Sequence, residues 1–366
     1  MNISLSRMAL LQAVQRCQSI VEKRHTVPIL ANILLKAEDQ TLNITATDLE
    51  VGIRSRTSAK ISQTGAITVS AKKLFDIVKE LDAEQDVELE ATGSFVSIRS
   101  GRSRFRLSSL PAADYPNLVE NDAPSPVVIS GQQLARMIAA TGFAMSHDET
   151  RKYLTGTLFE VDDKNVLRLI TTDGHRLALS EFQLSGGTAV SQCIVPRKAV
   201  MEIRRLCEEV NGDVELFLGE RQIRLVAGDN VLTSKLIDAR FPVYQDVIPV
   251  GNPHTVLVDR VAFDQVLRRS MIVANEFTHD LRLHFSSNSI EVSAHNTEQE
   301  ESQEKVEAGY SGRDLVIGFN GRYLRDALGA INEQTVQISL KDELSPVLLN
   351  VEGNEQNRYV IMPMRI

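Results

Sequence analysis

The chain has 366 residues, 43% hydrophobic and 24% charged, a balance that fits a globular protein of two or three domains and excludes a disordered or fibrous one. Its formal charge of -8 argues against a nucleic-acid-binding surface over the whole molecule but leaves local basic patches open. Three widely spaced cysteines, Cys17, Cys193 and Cys207, form no CxxC pair, which speaks against a disulfide framework or a zinc site and fits a reducing cytoplasm.

In chain order, MNISLSRMALLQAVQRCQSIV predicts a helix over 5–21. Arg7, Gln12 and Arg16 interrupt its apolar run, so no signal peptide is expected, and no later run reaches membrane-spanning length. The alternating strand LNITATDLEVGIRS, from Leu42, reaches a small-residue step at Asp48. A strand and a helix follow in ITVSAKKLFDIVKEL (67–81), where Leu74, Ile77, Val78 and Leu81 stand at helical spacing. Pro111, Pro116, Pro124 and Pro126 close this third. A helix is expected over 131–145, then the strand LRLITTDGHRLALS with its step at Asp173, then a strand and helix in CIVPRKAVMEIRRLCEEV (193–210). LIDARFP (236–242) echoes LPAADYP (110–116), and Pro242, Pro249 and Pro253 mark a second boundary. The last third repeats the plan with a helix over 259–275, the strand IEVSAHNTEQEESQ stepping at Asn296, and LVIGFNGRYLRDALGAI (315–331), where Leu324, Ala327, Leu328 and Ile331 share a face.

The steps at Asp48, Asp173 and Asn296 recur at offsets of 125 and 123 residues, a threefold internal repeat. The chain therefore reads as three α+β domains, 1–120, 128–246 and 254–366, each with two helices and many short strands. A period this long lets every copy hold its own core, and a ring or arc is expected rather than a stacked solenoid.

Three features carry functional readings. TTDGHRLA is either a hairpin with an Asp173-Gly174 turn or the centre of a hydrolase-like enzyme using Asp173 and His175; no other copy holds the histidine, and no nucleophile motif accompanies it. The apolar tail NRYVIMPMRI is either a closing strand or part of an adaptable, methionine-lined groove. The six helix windows (5–24, 70–82, 131–147, 196–209, 259–276 and 320–331) hold 17 Lys and Arg against 11 Asp and Glu, so the helices are basic in an acidic chain. Without aromatic platforms such charges imply phosphate contact without base readout, and Arg24, Arg197, Lys198, Arg205 and Arg269 are the candidates. The basic RSGRSRFR (99–106) and the acidic TEQEESQE (297–304) are complementary, which favours head-to-tail pairing.

ANILLKAEDQTLNITATDLE, SGRSRFRLSSLPAADYPNL, IVPRKAV, TTDGHRLA, TSKLIDARFPVY and YVIMPMRI resemble the bacterial sliding-clamp family, the beta subunits of DNA polymerase III, along the whole chain. The resemblance implies the DNA-clamp fold, with antiparallel sheets, closed as a head-to-tail homodimeric ring around double-stranded DNA. It implies no cofactor, no metal and no catalytic residue. It also implies a pocket for short motifs of the polymerase catalytic subunit, the clamp loader complex and repair proteins. The matching positions are Leu154, Thr172, Gly174, His175, Arg176, Leu177, Pro242, Val247, Val360 and Met362, with Tyr153, Asn320, Tyr323, Met364 and Arg365 at an adjoining groove. Arg24 matches a DNA-facing position. Dimer contacts are implied at Lys73, Arg102, Arg104, Phe105 and Leu107 against Ile272, Val273, Glu300 and Glu304. Asp246 stands where a basic residue is familiar, Pro346 where a small polar one is, and Lys152 where a second tyrosine is.

Overall fold

A computed structural model of the chain describes residues 1–21, 27–118, 125–187 and 189–365. The first third carries β1 (Asn2–Ser6), α1 (Arg7–Gln18), β2 (Asn32–Glu38), β3 (Thr41–Thr47), β4 (Val51–Ser58), β5 (Lys60–Gln63), β6 (Gly65–Ser70), α2 (Ala71–Glu80), β7 (Asp86–Thr92), β8 (Phe95–Ser100) and β9 (Ser103–Ser108). The second carries β10 (Val127–Ser130), α3 (Gly131–Thr141), β11 (Gly156–Val161), β12 (Val166–Thr172), β13 (Arg176–Gln183), β14 (Ser191–Pro196), α4 (Arg197–Glu209), β15 (Asp213–Leu218), β16 (Gln222–Ala227) and β17 (Asn230–Lys235). The third carries β18 (His254–Asp259), α5 (Arg260–Ser270), β19 (Asp280–Ser286), β20 (Ser289–His295), β21 (Glu301–Gly309), β22 (Leu315–Asn320), α6 (Gly321–Ala330), β23 (Thr335–Leu340), β24 (Val347–Val351) and β25 (Asn354–Ile361).

All six expected helices form, and polar caps set several of their starts. Ser6 accepts from Ala9 N at 3.2 Å, so α1 starts at Arg7 and the expected helical residues Leu5 and Ser6 end β1 instead. Asp259 caps α5 through Ala262 N at 2.8 Å, and Asn320 caps α6 through Arg322 N at 2.9 Å. The apolar face of α6 is buried as its spacing requires, through Leu324, Ala327 and Leu328.

The three steps share one device. Asp48 Oδ1 accepts from Glu50 N and Val51 N at 2.9 and 2.7 Å, Asp173 Oδ1 from His175 N and Arg176 N at 2.9 and 3.1 Å, and Asn296 Oδ1 from Glu298 N and Glu300 N at 2.9 and 3.0 Å. These are side-chain-to-backbone turns that need a short acceptor. Of the Asp173-Gly174 pair only Gly174 has positive φ, at 92°, so a turn with both residues left-handed does not form; Leu49, at 78°, takes that role in the first copy.

The chain divides into two compact units. Residues 1–135 with 201–236 hold a five-stranded sheet, ordered β5-β1-β7-β8-β9, and an eight-stranded sheet, ordered β10-β15-β16-β17-β4-β3-β2-β6. In the latter the first and second thirds join at β4 and β17, where Ser55 Oγ donates to Asn230 Oδ1 at 2.7 Å in a buried setting. Residues 136–200 with 237–366 hold a twelve-stranded sheet, ordered β14-β11-β12-β13-β25-β24-β23-β18-β21-β20-β19-β22. Here β13 pairs with β25. Because strands pair across the thirds, the compact units do not coincide with the sequence repeat. Antiparallel pairing runs throughout, and the largest core of the second unit includes Phe263, Phe285, Phe319 and Tyr359.

Candidate functional site

The hairpin of β12 and β13 and the last strand, β25, build an apolar site. Leu177 lies opposite Val360, and both enter a buried cluster with Leu158, Ile170, Leu179, Ile194 and Tyr244. Tyr153 packs against this cluster, with Phe241, Ile248 and Leu348, while Leu154 is buried beside it in sequence. Pro242 and Val247 stay exposed on the segment that carries Tyr244. Thr172 Oγ1 donates to Arg176 O at 2.6 Å and accepts from Gly174 N at 3.1 Å, closing the hairpin tip. Beyond β25 the tail follows this tip: Met362 N donates to His175 O at 2.9 Å, then Met364 N donates to Gly318 O of β22 at 2.8 Å. Both methionines are half-buried and Arg365 is exposed. Up to Ile361 the tail is thus a closing strand. Tyr244 was not anticipated: its hydroxyl donates to Glu160 at 2.5 Å and holds the Pro242–Val247 segment down, and burial, then Glu160, pushes its pKa up. Lys152 and Asp246 are exposed and Pro346 is half-buried.

Alternation along β13 turns Arg176 to the face opposite Leu177. Its Nε donates to Asp173 Oδ2 at 3.0 Å, Nη1 to Asp326 Oδ2 at 2.5 Å and Nη2 to Phe143 O at 2.9 Å, with the Tyr323 ring 4.5 Å away. His175 stacks on Tyr323 with centroids 6.3 Å apart. Asn320 Nδ2 donates to Thr278 O at 3.0 Å, tying down a loop that presents Phe277, 93% exposed. Phe277 is an exposed aromatic residue absent from the expected set; its only sequence signal is an aromatic residue within the polar run NEFTHD. Each Asp173 oxygen is committed to the turn or to Arg176, so neither is placed to activate His175. Burial pushes the thiols of Cys17, Cys193 and Cys207 up to about 12, which suits none of them as a nucleophile.

The basic candidates carry partners of their own. Arg24 lies outside the described residues. Arg197 is half-buried and donates to Met145 O and Ser146 O at 2.8 and 3.1 Å; Lys198 is half-buried and also engaged. Arg205 pairs with Glu202 at 2.7 Å and Glu209 at 3.4 Å and donates to Ser19 Oγ. Arg269 binds Glu304 through two hydrogen bonds, 2.7 and 2.8 Å. Arg268 next to it, not among the expected residues, is exposed and has no ion pair among the described residues.

Among the open strand edges, two carry residues of the expected dimer contacts. β9 ends the five-stranded sheet, with Arg102, Arg104 and Phe105 exposed, and Lys73 exposed on α2. Cross-strand register places Phe105 and Leu107 on the face of buried Ile98 and Val96, and Arg104 and Arg106 on the other. β21 pairs with β18 only at Ala308 and Gly309, leaving that side of Glu301–Glu307 unpaired among the described residues. Glu304 shares the face of buried Val292, toward α5, whereas Glu301, Gln303, Lys305 and Glu307 occupy the other face. Ile272, just past α5, is 79% exposed, and Val273 is half-buried. Glu300 accepts from Asn296 Nδ2 at 2.6 Å.

Family models of the DNA polymerase III beta subunit match in succession: the N-terminal domain over residues 1–119, the central domain over 128–243 and the C-terminal domain over 245–365. The chain is 39% identical over 368 residues to the beta sliding clamp of Pseudomonas putida and 37% identical over 367 to that of Escherichia coli, covering 100% of each chain. A crystal structure of the Pseudomonas aeruginosa sliding clamp bound to griselimycin matches at a TM-score of 0.97 with 39% identity, and the Caulobacter crescentus polymerase III beta structure at 0.95 with 37%, both over 100% of the two chains.

Proposed function

The chain belongs to the family of DNA polymerase III beta subunits, the sliding clamps, and from that premise we propose that the seam between β13 and β25 is its pocket for partner peptides. The protein is a processivity factor of DNA replication, an accessory subunit with no reaction of its own. Two copies form a ring around duplex DNA, which slides without sequence preference and tethers DNA polymerase III and other partners. The clamp loader complex and repair proteins are proposed to use the same pocket, in the cytoplasm. No helix among the described residues is long and apolar enough to cross a membrane. The proposed domain limits are 1–120, 128–246 and 254–366.

One observation carries the pocket: β25 places Val360 against Leu177 in one apolar cluster, edged by half-buried Met362 and exposed Pro242 and Val247. An apolar cluster with polar edges of this kind suits a pocket for one or two hydrophobic side chains of an extended peptide. His175, Tyr323, Asn320, Met364 and Phe277 are proposed to form its second half.

Ring closure is proposed to add β9 of one copy to the open side of β21 in the other, so that two free edges satisfy each other. Arg104 and Arg106 then meet Glu301 and Glu307 of the second copy on one face. Phe105 and Leu107 meet Ile272 and Val273 on the other, where Glu304 is held by Arg269. For DNA, Arg24, Arg197, Lys198, Arg205, Arg268 and Arg269 are proposed to reach phosphates; Arg205 and Arg269, already ion-paired, would give weak, exchangeable contacts, as sliding demands. Retention on DNA tests the reading. A loaded ring persists on a closed circle and is lost when the circle is cut; equal loss from circular and linear DNA would refute encirclement.

A further inference from the structure

We propose that Arg176 and Asp326 form a latch that fixes the hairpin tip, Thr172 to Arg176, against α6, and that Asp326 tunes peptide affinity as a positioning residue without meeting the peptide. The proposal rests on the pocket reading above.

Arg176 follows the tip, but its side chain points away from the Leu177–Val360 cluster, so it is poorly placed to line that half of the pocket. Its guanidinium instead gathers three elements. Asp173 Oδ2 belongs to the tip, Phe143 O to the short helical turn after α3, and Asp326 Oδ2 to α6. Tyr323, one turn before Asp326, offers its ring 4.5 Å from the guanidinium carbon and stacks at 19° on His175. Phe143 in turn packs on Tyr359, the neighbour of Val360, with centroids 5.8 Å apart. One cation thereby links the tip, both rings and the strand that carries Val360.

An exposed ion pair in this arrangement would contribute almost nothing. Arg176 is not exposed: its side chain keeps 11% of its surface and that of Asp173 14%, against 46% for Asp326. A guanidinium so far out of water needs its hydrogen bonds made, and bonds to charged partners are the stronger kind. Removing the Asp326 carboxylate leaves Asp173 and the Phe143 carbonyl to hold Arg176, so the fold survives. It also frees the tip from α6 and loosens the His175–Tyr323 stack.

The test uses the full-length dimer and a fluorescently labelled peptide carrying the clamp-binding motif of the polymerase catalytic subunit. Asp326→Ala should weaken binding about three- to tenfold, a loss of roughly 0.7–1.4 kcal/mol, with the dimer intact, and Asp326→Glu should restore most of it. In an Arg176→Gln background Asp326→Ala should have no further effect. The NMR resonance of the His175 ring should shift in Asp326→Ala as the Tyr323 ring current is lost. Wild-type affinity in Asp326→Ala, an equal loss in both backgrounds, or an unmoved His175 resonance overturns the latch. Failure of the wild-type dimer to bind the peptide overturns the pocket reading instead, and the His175 resonance still decides whether the latch exists.

Discussion

Asp173 serves the backbone of His175 and Arg176 through one oxygen and the Arg176 guanidinium through the other. Its equivalent Asp48 makes the same turn to the second and third residues on, Asn296 a wider one to the second and fourth, and neither copy has a histidine two residues after the acceptor, which separates the structural part of TTDGHR from the part special to the second domain. The turn is legible in sequence because a short acceptor three residues before a strand has few other uses. The partners of Arg176 are not, since Phe143 and Asp326 lie 33 and 150 residues away. Gly174 makes the tip testable. Its φ of 92° is disfavoured for any side chain, and a Cβ there would stand 3.1 Å from Arg151 Nη1. Gly174→Ala should cost about 1–2 kcal/mol in thermal or denaturant unfolding and weaken peptide binding several-fold, because relief of the strain moves His175 and the Met362 bond to it.

At the scale of elements, spacing exposes the helices, and polar caps place several starts where the windows alone put them a few residues off. Strands are harder. The end of β1 reads as helix because Leu5 and Ser6 suit either period until the Ser6 cap is seen. Charge count finds basic helices but misses that Arg205 and Arg269 hold carboxylates, because i, i+3 spacing hints at Arg205–Glu202 while Arg269–Glu304 spans two elements. Acidic TEQEESQE is visible as a patch; only the register of β21 divides it between faces. That division makes a distinction at the interface. Reversing Glu301 and Glu307 to Lys should raise the dimer dissociation constant about tenfold or more, since like charges would face Arg104 and Arg106. Glu304→Gln, whose carboxylate already belongs to Arg269, should change it less than threefold. Analytical ultracentrifugation of both variants checks the ordering, and a larger effect from Glu304 would reject the proposed face assignment.

For the whole molecule, the repeat and its linkers are written in the sequence, whereas the two compact units are not, because β4 with β17 and β13 with β25 pair between thirds. The pairing of β13 with β25 also puts the end of the chain beside a hairpin some 180 residues earlier, which no local pattern can announce. It separates two duties of the C-terminus. Through Ile361 the chain is strand, and Tyr359, Val360 and Ile361 are buried and paired on both sides by β13 and β24. From Met362 onward its backbone bonds are the one to His175 O and the one to Gly318 O among the described residues, too few to hold a domain together. Both strand edges proposed to close the ring lie elsewhere, on β9 and β21. A chain ending at Ile361 should therefore fold, dimerise and stay on circular DNA as the full chain does, yet lose peptide binding by at least tenfold, because Met362 and Met364 are proposed to line the peptide pocket. Sedimentation, retention on circular DNA and peptide titration on the same preparation test these together. Loss of the dimer or of retention would make the tail part of the ring, and undiminished peptide binding would move the pocket away from the β13–β25 seam.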